Sequence, residues 1–152
     1  DKISDFTIGE DKLDIADANA AAATTNATNT GAAPVDVAGA DAAGGLAAGS
    51  VLASVTNGVM TLSGLAANVA VFDTLAEMVD AAELVYTDQI SANGNADFLG
   101  LMAFEFDGNT YVMGNTDTAL DALGTSQLIE LTGVTGITAI DTAAAANTIV
   151  VM

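Results

Sequence analysis

VLASVTNGVMTL, residues 51–62, is the stretch that decides the fold. Apolar side chains alternate on both sides of Asn57-Gly58. That dipeptide suits a type I′ turn better than most pairs, because both of its positions tolerate positive φ. A two-stranded hairpin is predicted. LMAFEFDGNTYVM, residues 101–113, follows the same logic: Met102, Phe104 and Phe106 alternate on one side, and Tyr111 and Met113 resume after Asp107-Gly108-Asn109. A second hairpin is expected there. QLIELTG, then a Gly/Thr-rich stretch, then the apolar run Thr148 to Met152 add short strands.

Between the hairpins, Leu65, Val69, Phe72, Ala76, Val79 and Tyr86 recur at helical spacing, with Asp73, Glu77, Asp80 and Glu83 on the remaining face. The spacing predicts one amphipathic helix over about 67–86, its apolar stripe packed on a sheet. An acidic face of this kind would be repelled by anionic lipid. Upstream, DKISDFTIGEDKLDI (1–15) places Ile3, Phe6, Ile8, Leu13 and Ile15 around a Gly9-Glu10-Asp11 turn, which suggests a pair of short strands with acidic connections. Residues 16–49 are low-complexity Ala, Thr, Asn and Gly, with Val35, Val37 and Leu46 the only larger apolar groups. Alone, such a tract cannot offset its ordering entropy and is expected to be disordered unless the domain or neighbouring copies hold it. The expected organisation is a strand pair at 1–15, the low-complexity segment at 16–49 and a β-rich module at 50–152.

At 152 residues one compact domain, or one domain plus a tail, is expected. Its charge is extreme: 20 acidic residues face only Lys2 and Lys12, for a formal charge of −18 with no Arg or His. Beyond Lys12 no ion pair can relieve the repulsion. Nucleic acid and acidic membrane surfaces are therefore poor partners, and hard cations with oxygen ligands natural ones. No apolar run approaches the ~20 residues of a membrane span, so no membrane insertion is expected. The chain opens in mid-pattern without an initiator Met, which reads as a fragment or a processed product.

Chemistry is limited by what is missing. Without His or Cys no Ser-His-Asp triad, Cys-His dyad or histidine metal site can form, and without Arg there is no bidentate phosphate clamp. Glu77, Glu83, Glu105 and Glu130 show no local pattern that pairs them for glycoside hydrolysis, and there is no Trp to stack a sugar. No enzyme is expected. Two loops are rich in oxygen ligands. Asp1, Asp5, Glu10, Asp11 and Asp14 crowd the first 14 residues, and Asp107, Asn109, Asn115, Asp117 and Asp121 form a second group. Calcium takes roughly six to eight oxygens, which such loops and their carbonyls can supply. Two readings stay open for each: a cation site, or, for the first group, a solvated acidic turn and, for the second, a plain hairpin turn plus helix cap. The second group does not have the spacing of an EF-hand. Asn26-Ala27-Thr28 is a glycosylation sequon of a kind this composition generates freely.

The first 15 residues resemble the segment that follows the glycine-rich nonapeptide repeats of RTX (repeats-in-toxin) exported proteins, where a D-x-I-x-D-F-x-x-G-x-D-K-[IL]-D pattern closes the β-roll. The resemblance covers about a tenth of the chain, and no G-G-x-G-x-D nonapeptide is present. If the repeats precede residue 1 in a longer parent, the calcium they bind lies outside this stretch. FEFDGNTYVMGNTD followed by QLIELTGV, within 104–134, is similar to the C-terminal region of RTX-like bacterial surface proteins of the bluetail type. These resemblances imply a mainly β fold, with β-roll-closing strands followed by a β-sandwich-like module carrying one amphipathic helix. They also imply type I secretion to the bacterial cell surface or extracellular matrix. Ile149 to Met152 would then belong to the uncleaved export signal, to a core or edge strand, or to both.

The functional expectation is an extracellular structural subunit that self-assembles as a surface layer, matrix or filament. Its expected partners are other copies of itself and, in transit, the export machinery. Calcium is the expected cofactor, with Asp5, Glu10, Asp11, Asp14, Asp107, Asn109 and Asp117 as candidate ligands. The alternative is a C-terminal export and folding module of a larger exoprotein whose hydrolase or adhesin activity lies upstream. A glycan-binding adhesin tip has little support, because the Phe and Tyr residues mostly fall at core positions.

Overall fold

The computed structural model describes residues 1–14, 34–93, 101–114, 127–142 and 148–152. Among these, the strands are β1 Lys2–Ile3, β2 Lys12–Asp14, β3 Val35–Asp36, β4 Val51–Thr56, β5 Val59–Gly64, β6 Leu101–Phe106, β7 Asn109–Gly114, β8 Gln127–Leu131, β9 Ile140–Thr142 and β10 Thr148–Val151. A short helix α1 (Ala66–Val69) and a long helix α2 (Leu75–Asn93) separate β5 from β6, and a 3-10 turn spans Ala38–Ala40. The fold is mainly β, as the alternation predicts.

Both expected hairpins form. Asn57 and Gly58 adopt φ of 50° and 80°, and Asp107 and Gly108 adopt 46° and 76°. These paired positive values are those of type I′ turns, whose twist matches that of the flanking strands. β4 and β5 then pair from Thr56↔Val59 out to Val51↔Gly64, and β6 and β7 from Phe106↔Asn109 to Leu101↔Gly114. The hairpins belong to an open seven-strand sheet of order β1-β8-β7-β6-β5-β4-β3, while β2, β10 and β9 form a separate three-strand sheet.

One face of the large sheet carries α2. Met102, Phe104, Tyr111, Met113, Val51, Ala53 and Val55 pack there against Met78, Ala81, Ala82 and Val85 of the helix. Period-2 alternation sends the intervening residues to the opposite face. There Ala103, Val112, Ile129 and Leu131 meet Leu13 of β2 and Val151 of β10, with Val134 and Ile137 filling in from the segment after β8. The result is a layered structure: helix, seven-strand sheet, three-strand sheet.

Two expectations are corrected in detail. The predicted helix over 67–86 is two helices separated at residues 70–74, and the long one runs on to Asn93. A capping box restarts it: the Glu77 N–H donates to Thr74 Oγ1 (3.3 Å), and Glu77 Oε2 accepts from Thr74 N–H (3.0 Å) and from its hydroxyl (2.7 Å). The restart shifts the phase, so Ala76 is exposed, Met78, Ala81, Ala82 and Val85 are buried, and Glu77 is not on the solvated face. Tyr86 lies in the helix, with its side chain outside the described set.

Second, the two strands of the first 15 residues do not pair with each other. β1 runs parallel to β8 (Lys2↔Glu130, Ile3↔Leu131), whereas β2 pairs antiparallel with β10 (Lys12↔Val150, Leu13↔Ile149, Asp14↔Thr148). Residues 34–49 of the low-complexity tract are held by the domain. β3 pairs with β4, Val35 and Val37 are buried, and Asp36 accepts from Ala38 N–H (3.1 Å) and Gly49 N–H (2.8 Å) through its two carboxylate oxygens. Residues 16–33, including the Asn26 sequon, lie outside the described residues.

Candidate functional site

The candidate cation ligands occupy two turns. Asp5, Glu10 and Asp11 are exposed on the connection from β1 to β2. That connection is held from within: Asp11 Oδ2 accepts from Thr7 N–H (2.7 Å), Thr7 O accepts from the N–H groups of Glu10 (3.2 Å) and Asp11 (3.0 Å), and Gly9 N–H donates to Val151 O (3.0 Å). Asp14 is in β2 opposite Thr148, with its side chain outside the described set. Asp107 and Asn109 flank Gly108 in the β6–β7 turn. Asn109 is committed to the fold, donating from Nδ2 to Asp107 O (3.2 Å) and accepting at Oδ1 from Gly133 N–H (2.8 Å). Asn115, Asp117 and Asp121 lie outside the described residues. Among the described residues, no three acidic side chains converge as a metal-holding group, so the described ligands do not form a ready calcium cage.

The carboxylates that the fold does organise are different ones. Glu77 is buried, and besides closing its capping box it accepts from Ala42 N–H through Oε1 (3.2 Å). One side chain thereby clips the loop after the 3-10 turn to the start of α2. The Thr74 hydroxyl is the main cause holding the Glu77 carboxyl below the ordinary carboxylate range, with backbone N–H donors assisting and burial opposing. Asp41, also buried, accepts from Ala43 N–H and Gly45 N–H at 2.9 Å each. Glu83 behaves oppositely, its carboxyl pushed up by burial and by neighbouring Asp80. Lys2 and Glu130 form an ion pair of 2.8 Å where β1 meets β8.

A large concave feature among the described residues lies where the two hairpins meet. β5 and β6 are parallel neighbours but pair only at Val59↔Ala103, with Ala103 N–H donating to Gly58 O (2.8 Å). Beyond that point the strands fork. By the alternation of a ladder, the next backbone groups facing the fork belong to Leu62 and Glu105. A cavity of about 690 Å³ opens there, with apolar walls from Met60, Leu62, Phe72, Met78 and Phe106. Glu105 and Asp107 stand at its rim. Glu105 is held there by the loop after β8, its Oε1 accepting from the N–H groups of Gly136 (2.5 Å) and Ile137 (2.9 Å). In the sequence Glu105 is one of four glutamates with no pairing pattern, and the cleft has no local signal, since it arises from where a parallel ladder stops. Thr74-Leu75-Ala76-Glu77 does carry the capping-box pattern that marks the start of α2.

No helix among the described residues is long and apolar enough to cross a membrane. No family model, curated protein or solved structure matches this chain.

Proposed function

We propose that this chain is an extracellular, non-enzymatic structural subunit that associates with further copies of itself, assisted by calcium and delivered by type I secretion. The observation that carries the reading is the open sheet. Its outer strands, β1 and β3, are two residues each. Residues 1–3 bond along β8 from Leu128 to Thr132, but β3 pairs with only Leu52 and Ala53 of the six-residue β4, and with Val37 N–H reaching Val51 O (3.1 Å) this leaves residues 54–56 without a partner strand on that side among the described residues. Strand edges left uncovered in this way are templates for addition of a strand from another chain. With a net charge of −18, copies approach only if something screens or bridges their acidic turns. In this reading calcium serves between copies, at Asp5, Glu10, Asp11 and Asp107, and needs no preformed cage.

Light scattering and electron microscopy with and without a calcium chelator test the proposal, and a well-behaved monomer in both conditions rejects it. The companion prediction is that millimolar calcium raises the melting temperature or promotes assembly beyond sodium at matched ionic strength. The double substitution Asp5→Asn and Asp11→Asn should remove most of that difference.

A second reading, the export and folding module of a larger exoprotein, is favoured by one feature. The RTX-like stretch is joined to both sheets, through β1 with β8 and β2 with β10. Fusing a passenger domain ahead of Asp1 and asking whether a type I exporter secretes it separates the two readings. Secretion without assembly supports the module.

A further inference from the structure

We propose that the fork between β5 and β6 is a binding site for an apolar organic cation, a compact hydrophobic body carrying one fixed positive charge. The cavity, about 690 Å³, falls in the size range of small-molecule sites, roughly 300–1,000 Å³. Its walls are soft and aromatic. Met60 and Met78 bring thioethers that adapt to irregular guests, and the rings of Phe72 and Phe106 can face a cation.

Charge selects the guest. No cationic side chain lines the cleft. The only two in the chain are elsewhere, Lys2 paired with Glu130 and Lys12 in β2. A carboxylate, phosphate or sulfonate would enter against a net charge of −18 and past Glu105 and Asp107. A cation would be drawn in by the same field. Glu105 is suited to the role because Gly136 and Ile137 pin one of its oxygens, which fixes the carboxylate at the mouth; Oε2 has no partner among the described residues. Asp107, on the exposed turn two residues along, supplies a second carboxylate at the rim. The site persists without a guest because Phe72 and Met78 belong to the main core and hold the helix-side wall in place.

The test titrates the protein with two fluorescent dyes of similar apolar bulk and opposite charge, cationic auramine O and anionic anilinonaphthalene sulfonate, in chelator-treated buffer at fixed ionic strength, with equilibrium dialysis as a check. Auramine O should bind saturably, one per chain, and the anion at least about tenfold more weakly. Glu105→Gln with Asp107→Asn should lower auramine affinity about tenfold while keeping an oxygen acceptor for the Gly136 and Ile137 amides. Thr61→Trp places bulk in the cleft from an exposed wall position, so it should abolish dye binding with little change in melting temperature. Equal binding of the two dyes, undiminished auramine affinity in the amide variant, or a folded Thr61→Trp protein that still binds would each overturn the proposal. If Thr61→Trp does not fold, the amide variant alone decides.

Discussion

On the face of the large sheet that α2 covers, the buried core residues described all lie between 35 and 113 and include the buried Met, Phe and Tyr side chains beside Val and Ala. Phe104 and Tyr111 stack across the β6–β7 pair with ring centroids 5.6 Å apart, flanked by Met102 and Met113. On the opposite face the groups are smaller and branched, and two of them, Leu13 and Val151, arrive from β2 and β10 at distant points in the sequence. The first face is therefore assembled by hairpins and a helix that form locally. The second depends on long-range pairings whose loop-closure cost must be met before they contribute. The difference predicts that the two faces fail differently.

Phe104→Ala and Leu131→Ala test this most directly, since both side chains are fully buried. Each should cost several kcal/mol, about 3–5 for the ring and about 2–5 for the leucine. Chemical denaturation followed by hydrogen exchange separates them. Loss of Phe104 should lower protection throughout the seven-strand sheet and α2, whereas loss of Leu131 should first release β2, β9 and β10 and leave the hairpins protected. If both variants lose protection uniformly, the faces are one cooperative unit and the contrast between them is only geometric.

A smaller effect should follow at the junction of β5 with the helical layer. Gly64 has φ of +154°, and a Cβ at that position would lie 2.5 Å from Ser50 O. Both the backbone conformation and the close approach demand glycine. Gly64→Ala should destabilise by about 1–3 kcal/mol. Because Gly64 ends β5 beside the fork, hydrogen exchange should rise in β5 and α1 before it rises in β7 or β8. Uniform exchange would show that the strain spreads through the sheet.

What could be read in advance divides along the same line. Asn57-Gly58 and Asp107-Gly108 specify their turns within a few residues, so both hairpins and the mainly β class were legible. The partners of β1 and β2 were not, because Lys2 meets Glu130 and Leu13 meets Ile149 across more than a hundred residues, and nothing near Lys2 or Leu13 encodes the match. A single helix is the sequence expectation because apolar residues continue through Ala70, Val71 and Phe72, although Thr74 and Glu77 mark the restart. The acidic residues mislead most. Composition treats all as solvated, whereas Glu77 and Asp41 are buried and fully engaged with N–H and hydroxyl donors. The candidate cleft was invisible because it is set by where β5 and β6 part.

Glu77 also allows the helix-covered face to be loosened alone. Its carboxyl is held below the ordinary range, first by the Thr74 hydroxyl and then by backbone N–H donors. The folded state thus prefers the charged form. The stability it adds is present above the ordinary carboxylate pKa, about 4.3, and is lost as pH falls through the lower folded-state value. Glu83 acts in the opposite sense: burial and Asp80 raise its pKa, so its protonation on acidification favours folding. Comparing proteins that both carry Glu83→Gln removes this opposing contribution. On that background, Glu77→Gln should lower the melting temperature by a constant amount from pH 7 to about pH 5, and the gap should close below about pH 4. The loss should be felt in the 38–45 loop and the first turn of α2, which Glu77 joins through Ala42 and Thr74. The three-strand sheet, whose described core residues Leu13 and Val151 belong to the other core cluster, should keep its exchange protection. A pH-independent gap would mean that Glu77 acts through packing alone, and protection lost equally from β2 and β10 would show that the two faces are coupled through the sheet.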